Sequence, residues 1–400
     1  MNLVKLNIDT IQLGEPLPFV LRGGTGALLA RKGYVIRDRK ELAIMVARGR
    51  TLCVDTDESG ESYRAYLAQL QRMLNADSNL GAIADMKIAA GEDPALRERD
   101  RAWPDWSDLQ LRASQLLRAP SPNDFAARFN ALLEELARHC ENTPDATLLG
   151  LVYLSAQEER MYSATHAMLV SCVSMVVARE MLRWPAARVQ VLGSAALTMN
   201  IGMTELQDQL AQQSHPLTAP QIAAIEGHAD RSEALLRRLG VADPLWLEAV
   251  RCHHHRIRGP LAGKSEAQQM ARLIQRADVF GARLAPRAAR LPMAVTAAMQ
   301  ASYYDEEQQV DQAGASLVKT LGVYPPGSFV RLASKEIGVV IRRGVTATTP
   351  RVAVVTNRDG MPTGEPIPRD TGMPPWKITG AIPWRDVRVA LPLERLLALV

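Results

Sequence analysis

Two stretches decide how this chain reads: YSATHAMLV at residues 162–170 and AALTMNIGM at residues 195–203. They open a run from Tyr162 to Asp278 that holds six of the chain's seven histidines. After His166 and Asn200 come His228 in EGHADRSEALL, the triplet His253, His254 and His255, and Asp278 in RADVFGA. Five of these histidines and the aspartate fall at the spacings of a divalent-metal site from which one pair of ligands has been removed. Everything else in the chain reads as flanking this run.

Working outward, apolar residues recur at three- and four-residue spacing from Pro122 almost to residue 320, which predicts an all-α domain. Helices are expected at about 122–140, 145–157, 162–182, 186–199, 219–239, 244–254 and 265–284. The many alanines and methionines favour close, slightly adaptable packing. Beyond Leu321 the texture changes to VYPPGSFVRL, IGVVIRRGV and RVAVVTNRDG, β-branched runs broken by Gly and Pro. These predict a small antiparallel β unit ending in the helix-like PLERLLALV. Its Arg331, Lys335, Arg342, Arg343 and Arg351 would line either an anion-binding face or, more commonly, a solvated strand edge.

On the other side, PLPFVLRGGTGALLARKGYVI reads as a hairpin around Gly23, Gly24 and Gly26. GGTG lacks a following Lys-Ser/Thr and opens a strand, so a phosphate loop is disfavoured against a plain tight turn. A helix over about 38–48 and a strand around 51–54 complete a small α+β module. DTDESGES reads as a linker, Tyr63 to Leu74 has helical periodicity, and residues 76–122 read as less ordered, with Trp103 and Trp106 pinning the connection to a neighbouring surface. The expected organisation is therefore 1–58 α+β module, 59–122 linker with helix, 123–320 helical domain and 321–400 β-rich unit.

Four hundred residues exceed one compact core. The longest apolar run near the histidines, Ala167 to Ala178, falls short of the roughly 20 residues that cross a bilayer. No secretory signal is evident at the N-terminus, so a cytoplasmic location without membrane insertion is expected. Cys53, Cys140, Cys172 and Cys252 have no paired spacing, which fits reduced thiols. The charge of +4, from 47 basic against 43 acidic residues, is too even for a general nucleic-acid binder.

A lone histidine on a helix usually has a satisfied hydrogen bond, and His139 and His215 take that reading. His166, His228, the triplet His253, His254 and His255, and Asp278 differ, because they sit on or at the ends of helices that can converge in one bundle, a common place for side-chain metal ligands. Imidazole with carboxylate suits Fe, Mn or Zn, and such sites polarise phosphoryl oxygens.

In this order the segment resembles the HD-GYP subgroup of the HD metal-dependent phosphohydrolases, bacterial proteins that typically cleave cyclic di-GMP at a two- or three-metal site in a helical bundle. The resemblance runs from about Asp145 to Arg331. It matches His166 to the first family histidine, His228 to the histidine of a His-Pro pair whose proline is Ala229 here, His253 and His254 to an adjacent pair, and Asp278 to the aspartate of ADVFDA. GVYPPGSFVRL and IGVVI resemble the strands that often follow. The resemblance implies an HD-type helical bundle and a metal set of His166, His228, His253, His254 and Asp278.

The departures bear on chemistry. Where the family has AALLHDIGK this chain has AALTMNIGM, so Met199 replaces the histidine, Asn200 the bridging aspartate and Met203 the lysine. Tyr162 stands where trinuclear members carry a glutamate. HRIRGPLAGK keeps Gly259 and Pro260 without the family's tyrosine. An amide oxygen brings no charge and a thioether is a poor ligand for a hard cation, so Asn200 is at most a neutral ligand. No residue is singled out as catalytic or as a substrate contact.

The expectation is a signalling protein whose hydrolytic centre is impaired, holding one divalent metal (Fe, Mn, Zn or Ni) or none, and working through cyclic di-GMP or a signalling-protein partner. Two alternatives stand beside it. One is an active phosphodiesterase with a reduced metal set; the other is a structural adaptor resembling the HDOD modules.

Overall fold

The computed structural model describes residues 3–6, 11, 13–14, 17, 20–24, 26–30, 34–49, 51–55, 104–156, 161–256, 259–288, 292–387, 389 and 393–400. The expected helix at 63–74 and Trp103 lie outside the described residues. The chain divides into two compact units, Met1–Ala102 and Trp103–Val400.

In the first unit, β1 (Leu3–Lys5), β2 (Leu21–Gly23), β3 (Leu28–Ala30) and β4 (Leu52–Asp55) form an antiparallel sheet of order β1-β4-β2-β3. Between β3 and β4 runs α1 (Arg39–Gly49), where the Asp38 carboxylate accepts from the Glu41 amide. The β2–β3 turn is tight: the Gly26 amide donates to Gly23, and Gly26 takes φ 87°, a left-handed conformation that glycine adopts freely. It is the plain hairpin turn that the sequence suggests. Leu6, Leu17, Leu21, Ile36, Leu42, Leu52 and Val54 make this unit's core.

The second unit is built on helices. In order they are α2 (Trp106–Arg118), α3 (Phe125–Asn142), α4 (Pro144–Ser155), α5 (Tyr162–Glu180), α6 (Ala186–Thr198), α7 (Thr204–Gln212), α8 (Ala219–Glu226), α9 (His228–Arg238), α10 (Pro244–Cys252), α11 (Glu266–Leu284), α12 (Val295–Tyr303) and α13 (Gln312–Leu321), with α14 (Leu393–Leu397) near the end. A short 3-10 turn, Ile201–Met203, links α6 to α7. α5 is the axis. It is apolar all round, buried from Tyr162 to Ala178, and packs on α2, α3, α4, α6, α7, α11 and α13. Its N-terminus is capped from another helix, where the Ser163 amide donates to the Asp208 carboxylate at 2.8 Å.

The strands β5 (Phe329–Leu332), β6 (Ile337–Arg342), β7 (Arg351–Thr356), β8 (Pro362–Asp370) and β9 (Ile378–Ile382) form a second antiparallel sheet of order β8-β7-β6-β5-β9. Strict alternation splits it into two faces. Phe329, Val339, Ile341, Ala353 and Val355 join the helical core. Val330, Leu332, Val340, Val352 and Val354 pack under Tyr324, Trp376 and Ile378. The protein is thus mainly α with small antiparallel sheets toward both ends.

Three readings are corrected. The expected single helix over 219–239 is two, because the chain breaks at Gly227 and starts again at His228. Part of the stretch read as less ordered, 106–118, is a helix whose N-cap Asp105 accepts from the Asp108 amide at 3.0 Å. Trp106 is buried against Gly150 of α4. Arg343 is not part of an exposed cationic face: its Nε donates to Asp145 at 2.5 Å and its terminal nitrogens grip Glu180, tying the β6–β7 loop to α4 and α5. Arg331, Lys335, Arg342 and Arg351 are exposed, but they lie on or between the inner strands β5, β6 and β7 rather than at a sheet edge.

Candidate functional site

The site is built where α9, α10 and the 3-10 turn meet. α10 starts on Asp243, whose carboxylate accepts from the amides of Leu245 and Trp246 at 2.8 and 3.1 Å. It ends in a turn that places His253 and His254 side by side. α9 starts at His228, directly after the break at Gly227. The turn at Ile201–Met203 is pressed onto α9: the Gly202 amide donates to Ser232 Oγ at 2.9 Å, and a β-carbon at Gly202 would lie 2.7 Å from the Ser232 nitrogen. Glycine is required there, and Asn200 is brought beside α9 as a result.

His228 and His253 are held alike. His228 Nδ1 donates to the Ile225 carbonyl, and His253 Nδ1 donates to the Val250 carbonyl at 2.6 Å. A carbonyl can only accept, so both rings carry the proton on Nδ1 and a lone pair on Nε2. The two Nε2 atoms face each other at 3.1 Å. Two lone pairs at that distance repel unless something positive lies between them. His254 completes the group, with one ring nitrogen from each of the three within 4.8 Å of the others. Among the described residues this is the one cluster of three or more such donors.

His253 is fully buried, and burial, reinforced by the neighbouring His254 and His228, pulls its pKa down to about 3. Burial also lowers His228. Both are therefore neutral near pH 7, the state in which imidazole is a ligand. The Nδ1–H···O=C bonds are the outer-shell contacts that orient metal-bound histidines. His254 is exposed and opens the group to solvent. The set fits a single divalent cation.

His166 and Asp278 form a second pair, near enough to the trio for its carboxylate to act on His228 and His253. On α5 and α11, His166 Nε2 lies 2.7 Å from Asp278 Oδ1. Burial alone would raise the Asp278 carboxyl, but the hydrogen bond from His166 and the nearby His254 and His253 hold it well below the usual range. Asn200 is buried with no partner for Oδ1, and Met199 is fully buried in the apolar core. His139, in the last turn of α3, has its pKa lowered by burial, while His215 and His255 are exposed. A cleft of about 520 Å³, lined by Asp145, Glu180, Lys319 and Arg342, lies at the far end of α5 from His166.

No family model matches the chain. A cyclic di-GMP phosphodiesterase of Pseudomonas aeruginosa is 28% identical over 233 residues, 57% of this chain and 55% of the relative. This match is consistent with the HD-GYP resemblance carried by the residues between Asp145 and Arg331. It spans about half the length of that curated relative. Among solved structures, a HDG"Y"P protein from Bdellovibrio bacteriovorus aligns with 79% of this chain and 98% of its own at 16% identity, with a TM-score of 0.43.

In the helical unit, His228, His253 and His254, which the spacing singles out, come together, but the sequence does not mark the residues that place them. Gly202 and Ser232 carry no sequence signal for their contact. Tyr162, whose ring stacks on His166, and Arg287, which donates to the Tyr162 hydroxyl at 2.6 Å, are 125 residues apart in sequence, and nothing in either local pattern links them.

Proposed function

We propose that this chain is a bacterial signalling protein that holds one divalent cation at His228, His253 and His254 and binds cyclic di-GMP or a related phosphodiester without hydrolysing it efficiently. The supporting observation is the orientation of the trio, with two buried Nε2 lone pairs 3.1 Å apart, beside a neutral Asn200 and a core-buried Met199. A cation held there would neutralise and polarise a phosphoryl oxygen. His254, at the exposed edge, faces the incoming ligand. Asn200 offers an amide oxygen without the charge of a bridging carboxylate, so two cations sharing a hydroxide would be poorly compensated. Met199 adds packing.

The phosphodiesterase named among the relatives favours a second reading, in which the reduced set is still hydrolytic. Both readings meet in one test. Metal content and cyclic di-GMP turnover, measured on one preparation, should give about one equivalent of Mn, Fe, Zn or Ni, with heat of binding for cyclic di-GMP but no metal-dependent release of linear dinucleotide or GMP. Robust metal-dependent release establishes the hydrolytic reading. Absence of both metal and binding heat removes the ligand-binding one.

A further inference from the structure

We propose that Tyr162 and Arg287 lock His166 onto Asp278 as a cation-free clamp between α5 and α11, leaving the three histidines as the cation site among the described residues. This rests on the three-histidine reading above and assigns His166 a positioning role in place of ligation.

The argument is one of tautomers. In His228 and His253 a backbone carbonyl takes the Nδ1 proton and leaves Nε2 as a free donor atom. His166 is wired the other way. Its Nε2 faces the Asp278 carboxylate at 2.7 Å, so Nε2 carries the proton and donates it. The lone pair is then on Nδ1, which is buried and has no hydrogen-bond partner. That nitrogen abuts α11, where a β-carbon at Gly281 would stand 3.1 Å from it. A ring that ligates through Nε2 needs an acceptor for its Nδ1–H, and His166 has none.

The remaining face of the ring is also taken. Tyr162, 2% exposed, stacks on it with centroids 5.5 Å apart and planes 7° from parallel. Arg287 holds Tyr162 in turn, donating to its hydroxyl at 2.6 Å and lying 5.1 Å over its ring. Arg287 thereby fixes the Tyr162 ring that covers His166.

The test is isothermal titration of metal-free protein with Mn²⁺, together with histidine-ring nitrogen NMR of the metal-free protein and its Zn²⁺-loaded form. One Mn²⁺ should bind per chain, and two or more overturns the proposal. One ring, missing in His166→Gln, should show the Nε2–H tautomer and keep it when Zn²⁺ is added. A metal-bound shift at that ring also overturns it. Should His166→Gln fail to fold, Tyr162→Phe identifies the same resonance by moving it while keeping the stack. If no cation binds, the three-histidine reading fails; the clamp then stands or falls on the tautomer of His166.

Discussion

The three-histidine group and the His166–Asp278 pair both use imidazole rings on neighbouring helices, yet the rings end in opposite states. In the first, backbone carbonyls consume the Nδ1 protons and leave Nε2 lone pairs facing one another. In the second, the carboxylate consumes the Nε2 proton and the pair is complete without a third party. Ligand capacity therefore depends less on which residues are present than on which nitrogen the surrounding backbone protonates. Changing either arrangement breaks or sharpens the contrast.

The largest effect should come from returning the missing carboxylate. If the scaffold is intact and the native site silent, Met199→His with Asn200→Asp should raise metal-dependent release of linear dinucleotide from cyclic di-GMP by about 10²-fold or more, with neither single change sufficing. Removing a donor from the trio should come next. His253→Ala should weaken Mn²⁺ binding by more than the roughly 10–100-fold cost of losing an outer-shell partner, as read by titration. Asp278→Asn should act mainly on stability: it replaces the charge-assisted hydrogen bond from His166 by a neutral one and is expected to cost about 1.5 kcal/mol in denaturant unfolding.

Acid should separate the two groups in metal-free protein. His253 has its pKa lowered from 6.5 to about 3, so the unfolded chain binds more protons between those values. Its contribution is present above pH 6.5 and is lost as pH falls toward 3. Asp278 is lowered from 3.8, so its contribution persists until pH drops below that value. Unfolding followed from pH 7 to 3.5 should therefore show less acid sensitivity in His253→Ala and little change in slope in Asp278→Asn. A smaller effect is expected of Ser232→Ala, which removes the acceptor of the Gly202 amide and should cost about 1 kcal/mol, with slightly weaker cation binding as the turn loosens from α9.

Much of the helical layout was legible because it rests on local signals. The apolar spacing of α3 and α11 and the Gly/Pro breaks before the C-terminal strands are written in short windows. The break at Gly227 was not, since apolar spacing continues on both sides of it. Strand β8 was missed because Pro366 and Pro368 argue against a strand except at an edge, and β8 is an edge. Arg343 read as surface because its partners, Asp145 and Glu180, lie 198 and 163 residues away. In the site, spacing identified the histidines but could not say which nitrogen each would expose. For His228 and His253 that depends on the backbone carbonyls of Ile225 and Val250, which no side-chain pattern marks.

The most direct test of a retained scaffold without an efficient hydrolytic centre is metal content and cyclic di-GMP turnover, measured together on the full chain. The account predicts about one equivalent of divalent metal, measurable cyclic di-GMP binding, and release of linear dinucleotide no faster than in metal-stripped protein. Two or more equivalents accompanied by robust, metal-dependent release would contradict it.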